Sequence, residues 1–229
     1  MVKHEKILVT GANGLVGTAI QNRGYVNPTI IPIGRHDYDL LQWKHVNAMF
    51  DIFKPNAVVH LAAKVGGVKA NMAAPSTFFM ENITINTHVL EAARLHGVEK
   101  VICFLSTCVF PDPCPLPLKP EHLHLGPPHP SNYGYAYAKR MLAVQCATYN
   151  EQYGTNFVPV IPCNIYGPCF SGDTEVMTEH GVKLIKDVAI GDMVYTLSPE
   201  TKAVRLSKVT HTQVNPAEEW FTFRSKAAD

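Results

Sequence analysis

The sequence predicts an α/β fold with a doubly wound, mostly parallel sheet, followed by a small all-β segment. Short, unbroken apolar runs recur up to residue 161, and helical patterns separate them. Strands that alternate with helices form parallel sheets with right-handed connections. After Cys169 the apolar runs are shorter and only turns separate them, which is typical of an all-β module. The α/β pattern stops at residue 168, so we expect an incomplete sheet in residues 1–168 and a separate segment in residues 169–229.

The parallel sheet is predicted from runs rich in β-branched residues. The first run ends directly at glycines, as buried parallel strands often do. Pro159 is unfavourable in the last run, because proline has no backbone N–H to donate a hydrogen bond to a neighbouring strand. The predicted strands are Ile7–Thr10, Thr29–Ile33, Ala57–Leu61, Val101–Leu105 and Phe157–Ile161.

Two long helices are predicted between these strands. One runs from about Thr77 to Leu95 and has an apolar face, and the other follows Tyr133 and ends near Gly154. Residues 111–130 contain many prolines, and their apolar residues follow neither a helical nor a strand periodicity. We therefore expect a loop at the carboxyl side of the sheet. The apolar face of the first of these helices comprises Phe78, Ile85, Val89 and Ala92. In the all-β segment after Cys169, strands are predicted at residues 182–185, 192–197, 204–209 and 220–223.

Composition excludes several classes of function. The 229 residues are 46% hydrophobic and 17% charged, with a formal net charge of +1, so no excess charge favours nucleic acid or an anionic membrane. No apolar run approaches the roughly 20 residues that span a bilayer, and the start lacks the apolar core of a secretory signal. The six cysteines show neither metal-site spacing nor disulfide density. We therefore expect a cytoplasmic protein without a metal.

A glycine-rich loop follows the first strand and opens a helix. Its G-x-x-G-x-x-G spacing allows a tight turn, a close backbone approach to a pyrophosphate and close helix packing. The alternative is a structural glycine turn, but the preceding strand favours dinucleotide binding. The predicted cofactor contacts in this loop are Gly11, Asn13, Gly14, Leu15, Val16 and Gly17.

The end of the second strand predicts which dinucleotide is bound. Arg35 occupies the position that reads the adenosine ribose, and no acidic residue precedes it. An arginine there favours the 2′-phosphate of NADP over the 2′-hydroxyl of NAD. The alternative is that Arg35 is a solvated surface residue. Asp39 and Leu40 lie further on and are predicted to border the adenine.

A Tyr-x-x-x-Lys pair on the second long helix is the predicted catalytic centre. Tyr135 and Lys139 are four residues apart and share one helix face, while Tyr137 faces elsewhere. We expect the lysine ammonium to lower the pKa of the phenol, so that Tyr135 can transfer a proton near neutral pH. Ser106 ends the fourth strand, where its hydroxyl could bond a substrate carbonyl.

With these residues, positions from about 6 to 168 resemble an extended short-chain dehydrogenase/reductase, and more narrowly the GDP-L-fucose synthase family. The stretch Leu61–Gly67 matches the family's L-A-A-x-V-G-G sequence. Leu105–Pro111 matches its S-S-C-x-Y-P segment, with departures at Thr107 and Phe110. Pro162–Pro168 matches its P-x-N-x-Y-G-P sequence.

This resemblance implies an NADPH-dependent enzyme. It would epimerise GDP-4-keto-6-deoxy-D-mannose at C3 and C5 and then reduce C4. It implies Cys108 as the acid/base of epimerisation, Ser106 and Tyr135 at the C4 oxygen, and Lys139 at the nicotinamide ribose. The alternative for Cys108 is a small core residue. Further contacts implied for the cofactor are Ala62, Ala63, Lys139, Pro162, Asn164 and Ile165, with Asn164 also contacting substrate.

The segment that begins at Cys169 resembles the N-terminal part of an intein. A cysteine stands at the junction, and Gly191–Asp192 precedes an apolar run. The resemblance implies that the Cys169 thiol attacks the carbonyl of Pro168 to form a thioester. The alternative is an unrelated β-rich substrate lobe.

Three functions follow from these two resemblances. The first is the synthase interrupted by a partial intein, the second is a split-intein precursor that joins two enzyme halves, and the third is a nucleotide-binding remnant. The partner histidine of Cys108 and much of the GDP pocket would lie beyond Pro168. We therefore expect this chain alone to be inactive, to need a complementary chain and, once complete, to form a homodimer through the helices near Phe78 and Tyr135.

Overall fold

The computed structural model describes residues 5–23, 28–163, 165, 175–197, 204–210 and 212. The chain divides into two compact units, Met1–Ile165 and Tyr166–Asp229. In the first unit, five parallel strands form one sheet in the order β2-β1-β3-β4-β5. The strands are β1 (Lys6–Thr10), β2 (Thr29–Ile33), β3 (Ala57–His60), β4 (Lys100–Phe104) and β5 (Phe157–Val160). This confirms the predicted α/β class, and each apolar run forms a strand within one residue of its predicted bounds.

The strand order reverses between β1 and β3, because β2 lies on one side of β1 and the later strands lie on the other. Thr10 is in register with Ile33 of β2 and with His60 of β3, so the three carboxyl ends are level. A reversal of this kind opens a crevice at the carboxyl ends of the strands, where ligands bind in α/β sheets.

The helices of the first unit connect these strands. They are α1 (Leu15–Gln21), α2 (Trp43–Phe53), α3 (Val68–Ala73), α4 (Pro75–Leu95) and α5 (Tyr133–Tyr153). Helix α4 begins two residues before the predicted start, because Pro75 occupies its first turn. Gly154 ends α5 with a φ of 67°, a left-handed conformation that glycine adopts readily.

The core lies between the sheet and helices α2, α4 and α5. The predicted apolar face of α4 is buried, as are Leu8 of β1 and Leu142 of α5. Pro159 fits the edge strand because of its register. The amides of Val101 and Leu105 donate to the carbonyls of Asn156 and Val160, so position 159 directs its missing amide away from β4.

The proline-rich stretch at residues 111–130 is a loop, as predicted, but it contains local order. A 3₁₀ turn covers Pro120–His124, and two more flank the stretch at Thr107–Val109 and Pro130–Asn132. Pro111 and Pro128 form an isolated antiparallel bridge that closes the neck of the loop.

The second unit contains a four-stranded antiparallel sheet in the order β7-β6-β8-β9. The strands are β6 (Glu175–Thr178), β7 (Gly181–Leu184), β8 (Met193–Leu197) and β9 (Val204–Lys208). Three of them overlap the predicted runs, whereas β6 was not predicted as a strand. The run predicted at residues 220–223 lies outside the described residues. In the part of the chain that the structure describes, no helix is long and apolar enough to cross a membrane.

Candidate functional site

The glycine loop has the close contacts that its spacing predicts. Gly11 has a φ of +69°, and a Cβ there would lie 2.7 Å from the amide nitrogen of Ala62. A Cβ on Gly17 would lie 2.5 Å from the Cα of Ala12. The amide of Gly14 donates to the carbonyl of Gly11 at 3.0 Å and closes the turn. Side chains at Gly11 and Gly17 would therefore push apart the backbone segments that form the loop.

A cavity of about 520 Å³ opens beside this loop. It lies where the ends of β1, β2 and β3 meet, at the reversal in strand order. Leu15, Val16 and Gly17 do not line it, because they lie in the first turn of α1. The predicted cofactor contacts that do line it are Gly11, Asn13, Gly14, Arg35, Asp39, Leu40, Ala62 and Ala63.

Arg35 is exposed in the turn that follows β2, at the wall of the cavity. The carboxylate of Asp37 fixes this turn by accepting a 2.7 Å hydrogen bond from the amide of Gly34. Asp39 accepts from the amide of Leu41 at 3.0 Å, so its carboxylate holds its own turn. These two hydrogen bonds hold the backbone on either side of the cation at the wall of the cavity.

A buried polar chain lies behind the cavity wall, and the sequence reasoning missed it. The ring of His60 lies between the Thr10 hydroxyl, 2.8 Å from Nδ1, and Asn86 Oδ1, 3.1 Å from Nε2. Burial and the nearby Lys139 charge lower the pKa of His60 to about 3. The ring is therefore neutral at pH 7, and both of its nitrogens are satisfied if Nε2–H donates to Asn86 and Nδ1 accepts from Thr10.

This chain of hydrogen-bonded side chains reaches the wall of the cavity, because the Thr10 oxygen also accepts a hydrogen bond from the amide of Ala62 at 3.3 Å. Asn82 supports the next segment in a similar way, since its side chain both accepts from the amide of Lys64 and donates to its carbonyl, each at 3.0 Å. The available signal was a histidine within an apolar strand and two asparagines on the buried side of α4.

The predicted catalytic residues come together at the end of β4. Ser106 caps the Thr107–Val109 turn, and its Oγ accepts a 3.3 Å hydrogen bond from the amide of Cys108. The Ser106 side chain also lies close enough to Tyr135 of α5 to affect the pKa of its phenol. Cys108 is half-buried, whereas Cys103 and Cys146 are the fully buried cysteines of the core. The cysteine that the alternative would place in the core is thus accessible beside the serine and the tyrosine.

One electrostatic expectation is wrong. Burial, together with the nearby Cys108, raises the pKa of Tyr135, although the Ser106 hydrogen bond opposes this change. Lys139 is 2% exposed, and its Nζ donates to the carbonyl of Phe104 at 2.8 Å instead of lowering the phenol's pKa. Burial lowers the pKa of Lys139 to about 8. Tyr135 therefore holds its proton at neutral pH, which suits a proton donor.

Of the remaining predicted residues, those that the structure describes do not line the cavity. Tyr137 packs against Tyr133, with ring centroids 4.6 Å apart, so it does face elsewhere. Pro162 is half-buried and Ile165 exposed, and neither lines the cavity. Asn164, the predicted substrate contact, and Cys169, the predicted intein nucleophile, lie outside the described residues.

Comparison with known proteins gives consistent relatives. The chain is 46% identical to a GDP-L-fucose synthase of Dictyostelium discoideum over 168 residues, covering 71% of this chain and 52% of that protein. It is 44% identical to a probable GDP-L-fucose synthase of Drosophila melanogaster over 176 residues, covering 75% and 55%. The chain thus spans about half the length of these curated relatives.

A solved structure and a family match agree with this result. The structure is a GDP-L-fucose synthetase from Naegleria fowleri bound to NADP, with a TM-score of 0.68 and 39% identity over 73% of this chain and 56% of that chain. The family match covers residues 7–205. The chain belongs to the NAD dependent epimerase/dehydratase family.

Proposed function

We propose that the first unit is the cofactor-binding and catalytic half of a GDP-L-fucose synthase. The reaction is 3,5-epimerisation of GDP-4-keto-6-deoxy-D-mannose followed by reduction of C4 with NADPH. The observation that carries this proposal is the group formed by Ser106 and Cys108 at the end of β4 and by Tyr135 on α5, the helix that also holds Lys139. The identities of 46% and 44% to such synthases support the choice of substrate class.

NADP fits the residues that line the cavity. Gly11 leaves room for a pyrophosphate to approach the backbone, since a Cβ there would meet Ala62. Arg35 offers a planar, permanently charged fork for a 2′-phosphate. We assign Asp39 and Leu40 to the adenine side of the cavity and Lys139 to the nicotinamide ribose.

Cys108 and Tyr135 divide the chemistry between two positions. The C4 ketone acidifies the protons on C3 and C5, and a cysteine thiolate is a competent base for removing them. Tyr135 then protonates the C4 oxygen, and its raised pKa keeps the required proton on the phenol. Ser106 donates to the same oxygen and aligns it. NADPH, when bound, supplies the hydride for C4.

The test uses residues 1–168 joined to the C-terminal half of the Dictyostelium relative. The fusion should bind NADPH, exchange the C3 and C5 protons with solvent and form GDP-L-fucose. The matched Tyr135→Phe fusion should bind and exchange without reduction. Binding of NADPH without either exchange or reduction would leave only the nucleotide-binding remnant.

We propose separately that residues 169–229 are the N-terminal part of an intein. The support is a self-contained antiparallel sheet in which Asp192 organises the turn before β8. Its carboxylate accepts from the amide of Ala189 at 2.8 Å and pairs with Lys183 at 2.7 Å. The family match to residue 205 favours instead a β-rich lobe of the enzyme.

Thiol cleavage distinguishes these two possibilities. A strong thiol should release a fragment ending at Pro168, and Cys169→Ala should abolish that release, with mass spectrometry as the readout. Release from both proteins, or from neither, would favour the enzyme lobe. A trans-splicing partner would carry the rest of both the intein and the enzyme.

We infer a homodimer for the complete enzyme and a cytoplasmic location. Helices α4 and α5 pack side by side, and exposed apolar side chains remain on both, including Met80 and Val144. Sedimentation of the fusion should show a dimer that Met80→Glu weakens. The cysteines among the described residues are free thiols, which suits a reducing compartment.

A further inference from the structure

Arg140 of α5 is a buried cation that the proposed chemistry does not use. Arg140 directly follows Lys139 in the sequence and is 3% exposed. The Nε atom donates to the carbonyl of Val109 at 3.0 Å, and Nη2 donates to the same oxygen. The Nη1 atom donates to the carbonyl of Gly126 at 2.9 Å. One guanidinium thus joins two backbone positions that are far apart in sequence.

Burying this charge is costly, because the guanidinium loses its contact with water. The same loss lowers the pKa of Arg140. Within the described ranges, no carboxylate forms an ion pair with it. Its other neighbour is the ring of Tyr137, whose centroid lies 5.1 Å from the guanidinium carbon. The two carbonyls and the ring therefore have to hold the charge, which makes the geometry around them specific.

Val109 is the last residue of the turn that carries Cys108. At the front of that turn, the Ser106 side chain accepts from the Cys108 amide, and the Ser106 carbonyl accepts from the Val109 amide at 3.1 Å. At the back, Arg140 holds the Val109 carbonyl. The backbone of Cys108 is consequently fixed on both sides, and the second anchor comes from the helix that carries Tyr135.

Gly126 lies at the far end of the proline-rich loop. The neck of this loop is closed by the Pro111–Pro128 bridge and by a 3.2 Å hydrogen bond from the Asp112 amide to the Pro127 carbonyl. Arg140 binds the chain on both sides of that neck, at Val109 and Gly126. The same side chain thus fastens the loop to α5 beside the reacting groups.

We propose that Arg140 is a positioning residue that places the Cys108 thiol relative to Tyr135 by clamping Val109 and Gly126 to α5. The proposal deepens the function proposed above and rests on it for the role of Cys108. Lysine cannot replace the arginine fully, because an ammonium lacks the planar fork that reaches two carbonyls at once.

The test compares Arg140→Lys and Arg140→Met with the unchanged 229-residue chain. Arg94→Lys is the matched control, since Arg94 also uses a guanidinium fork, towards Glu91 on α4. Iodoacetamide labelling is followed at Cys108 and at the exposed Cys163 by mass spectrometry. Hydrogen exchange is followed for residues 107–110, β4 and α5. These readouts need no substrate.

We expect labelling of Cys108 to rise about tenfold in both Arg140 variants, with Cys163 unchanged, because a loosened turn exposes the thiol. Protection of residues 107–110 should fall by a similar factor while β4 and α5 keep theirs. Labelling and exchange within twofold of the unchanged chain would overturn the proposal, as would equal changes in Arg94→Lys or loss of protection throughout α5. The unchanged chain offers a test without any variant. If its residues 107–110 exchange hydrogen as fast as its residues 113–119, the proposal is overturned.

The fusion enzyme separates this proposal from the proposed function. Arg140→Lys should lower the turnover number for solvent exchange at C3 and C5 by about tenfold and leave NADPH affinity unchanged. If Cys108→Ser keeps full exchange while the labelling results hold, the proposed function fails and the clamp stands. If Cys108→Ser abolishes exchange and Arg140→Lys does not reduce it, the clamp fails alone.

Discussion

The amide nitrogen of Cys108 lies 3.3 Å from the hydroxyl oxygen of Ser106 and donates a hydrogen bond to it. The same side chain lies beside Tyr135 and opposes the rise in the pKa of its phenol. Ser106 therefore lies close both to the residue proposed for epimerisation and to the residue proposed for reduction. The two proposed steps involve different carbons of one sugar, so the relative positions of these two groups matter for both.

We predict that the cofactor preference depends on Arg35. Replacing it with Ala should weaken NADPH binding by roughly 1.5–3 kcal/mol, the value of hydrogen bonds to a charged group, and should leave NADH binding unchanged. Fluorescence titration of both cofactors against the 229-residue chain measures this. Lys44→Ala removes an exposed charge outside the cavity lining and serves as the control. Equal losses for the two cofactors would contradict the assignment.

The glycine loop should not tolerate a side chain at Gly11. Gly11→Ala combines a positive φ with a Cβ 2.7 Å from the amide of Ala62, so it should cost about 1–3 kcal/mol of stability and abolish NADPH binding. Gly67→Ala is the control, because a Cβ there meets no atom within 4 Å. Urea unfolding and cofactor titration give the two measurements. Wild-type affinity in Gly11→Ala would show that the loop does not cradle phosphate.

The two half-reactions should separate by mutation in the fusion enzyme. Cys108→Ser should block deuterium incorporation at C3 and C5 and leave NADPH binding intact, because the serine hydroxyl is a far weaker base than a thiolate. Tyr135→Phe should stop reduction and preserve incorporation. Mass spectrometry of the sugar nucleotide in heavy water reports each step. Unchanged incorporation in Cys108→Ser would return this cysteine to a packing role.

Stability should fall in mild acid because of His60. The folded state keeps this ring neutral until the pH approaches about 3, whereas the unfolded chain protonates it near 6.5. Protons therefore favour unfolding between these two pH values. The contribution of His60 to the free energy of unfolding is complete above pH 6.5, and below that pH it falls by up to roughly 1.4 kcal/mol per pH unit.

Urea midpoints at pH 7 and pH 5 measure this loss. His60→Gln should be less stable at pH 7 and show a smaller decrease between the two pH values. The exposed His124→Gln should behave like the unchanged chain. An identical decrease in His60→Gln and the unchanged chain would remove His60 as the cause.

Most of the fold follows from local sequence patterns. The apolar runs predicted all five parallel strands, because a strand buried on both faces needs a continuous apolar segment. The strand β6 was missed because Glu175 and Thr178 interrupt its apolar character, and only pairing with β7 and β8 makes it a strand. Pairing partners of this kind are not encoded locally.

The chemical groups at the site were predictable from spacing, since Gly11, Ser106, Tyr135 and Lys139 stand in motifs fixed by the turn or helix that holds them. Their electrostatics were not. The pKa of Tyr135 is raised because the tertiary structure buries it beside Cys108, and Lys139 faces a carbonyl that is distant in sequence.

The sequence alone determined the order of strands and helices along the chain, the glycine loop and the residues proposed to bear the chemistry, because these depend on local periodicity and on side-chain type. Only the tertiary structure decided how they act together. It brought His60 between Thr10 and Asn86, and it placed Arg140 across the two ends of a loop. Burial and long-range hydrogen bonds, which join residues far apart in the chain, set those relationships.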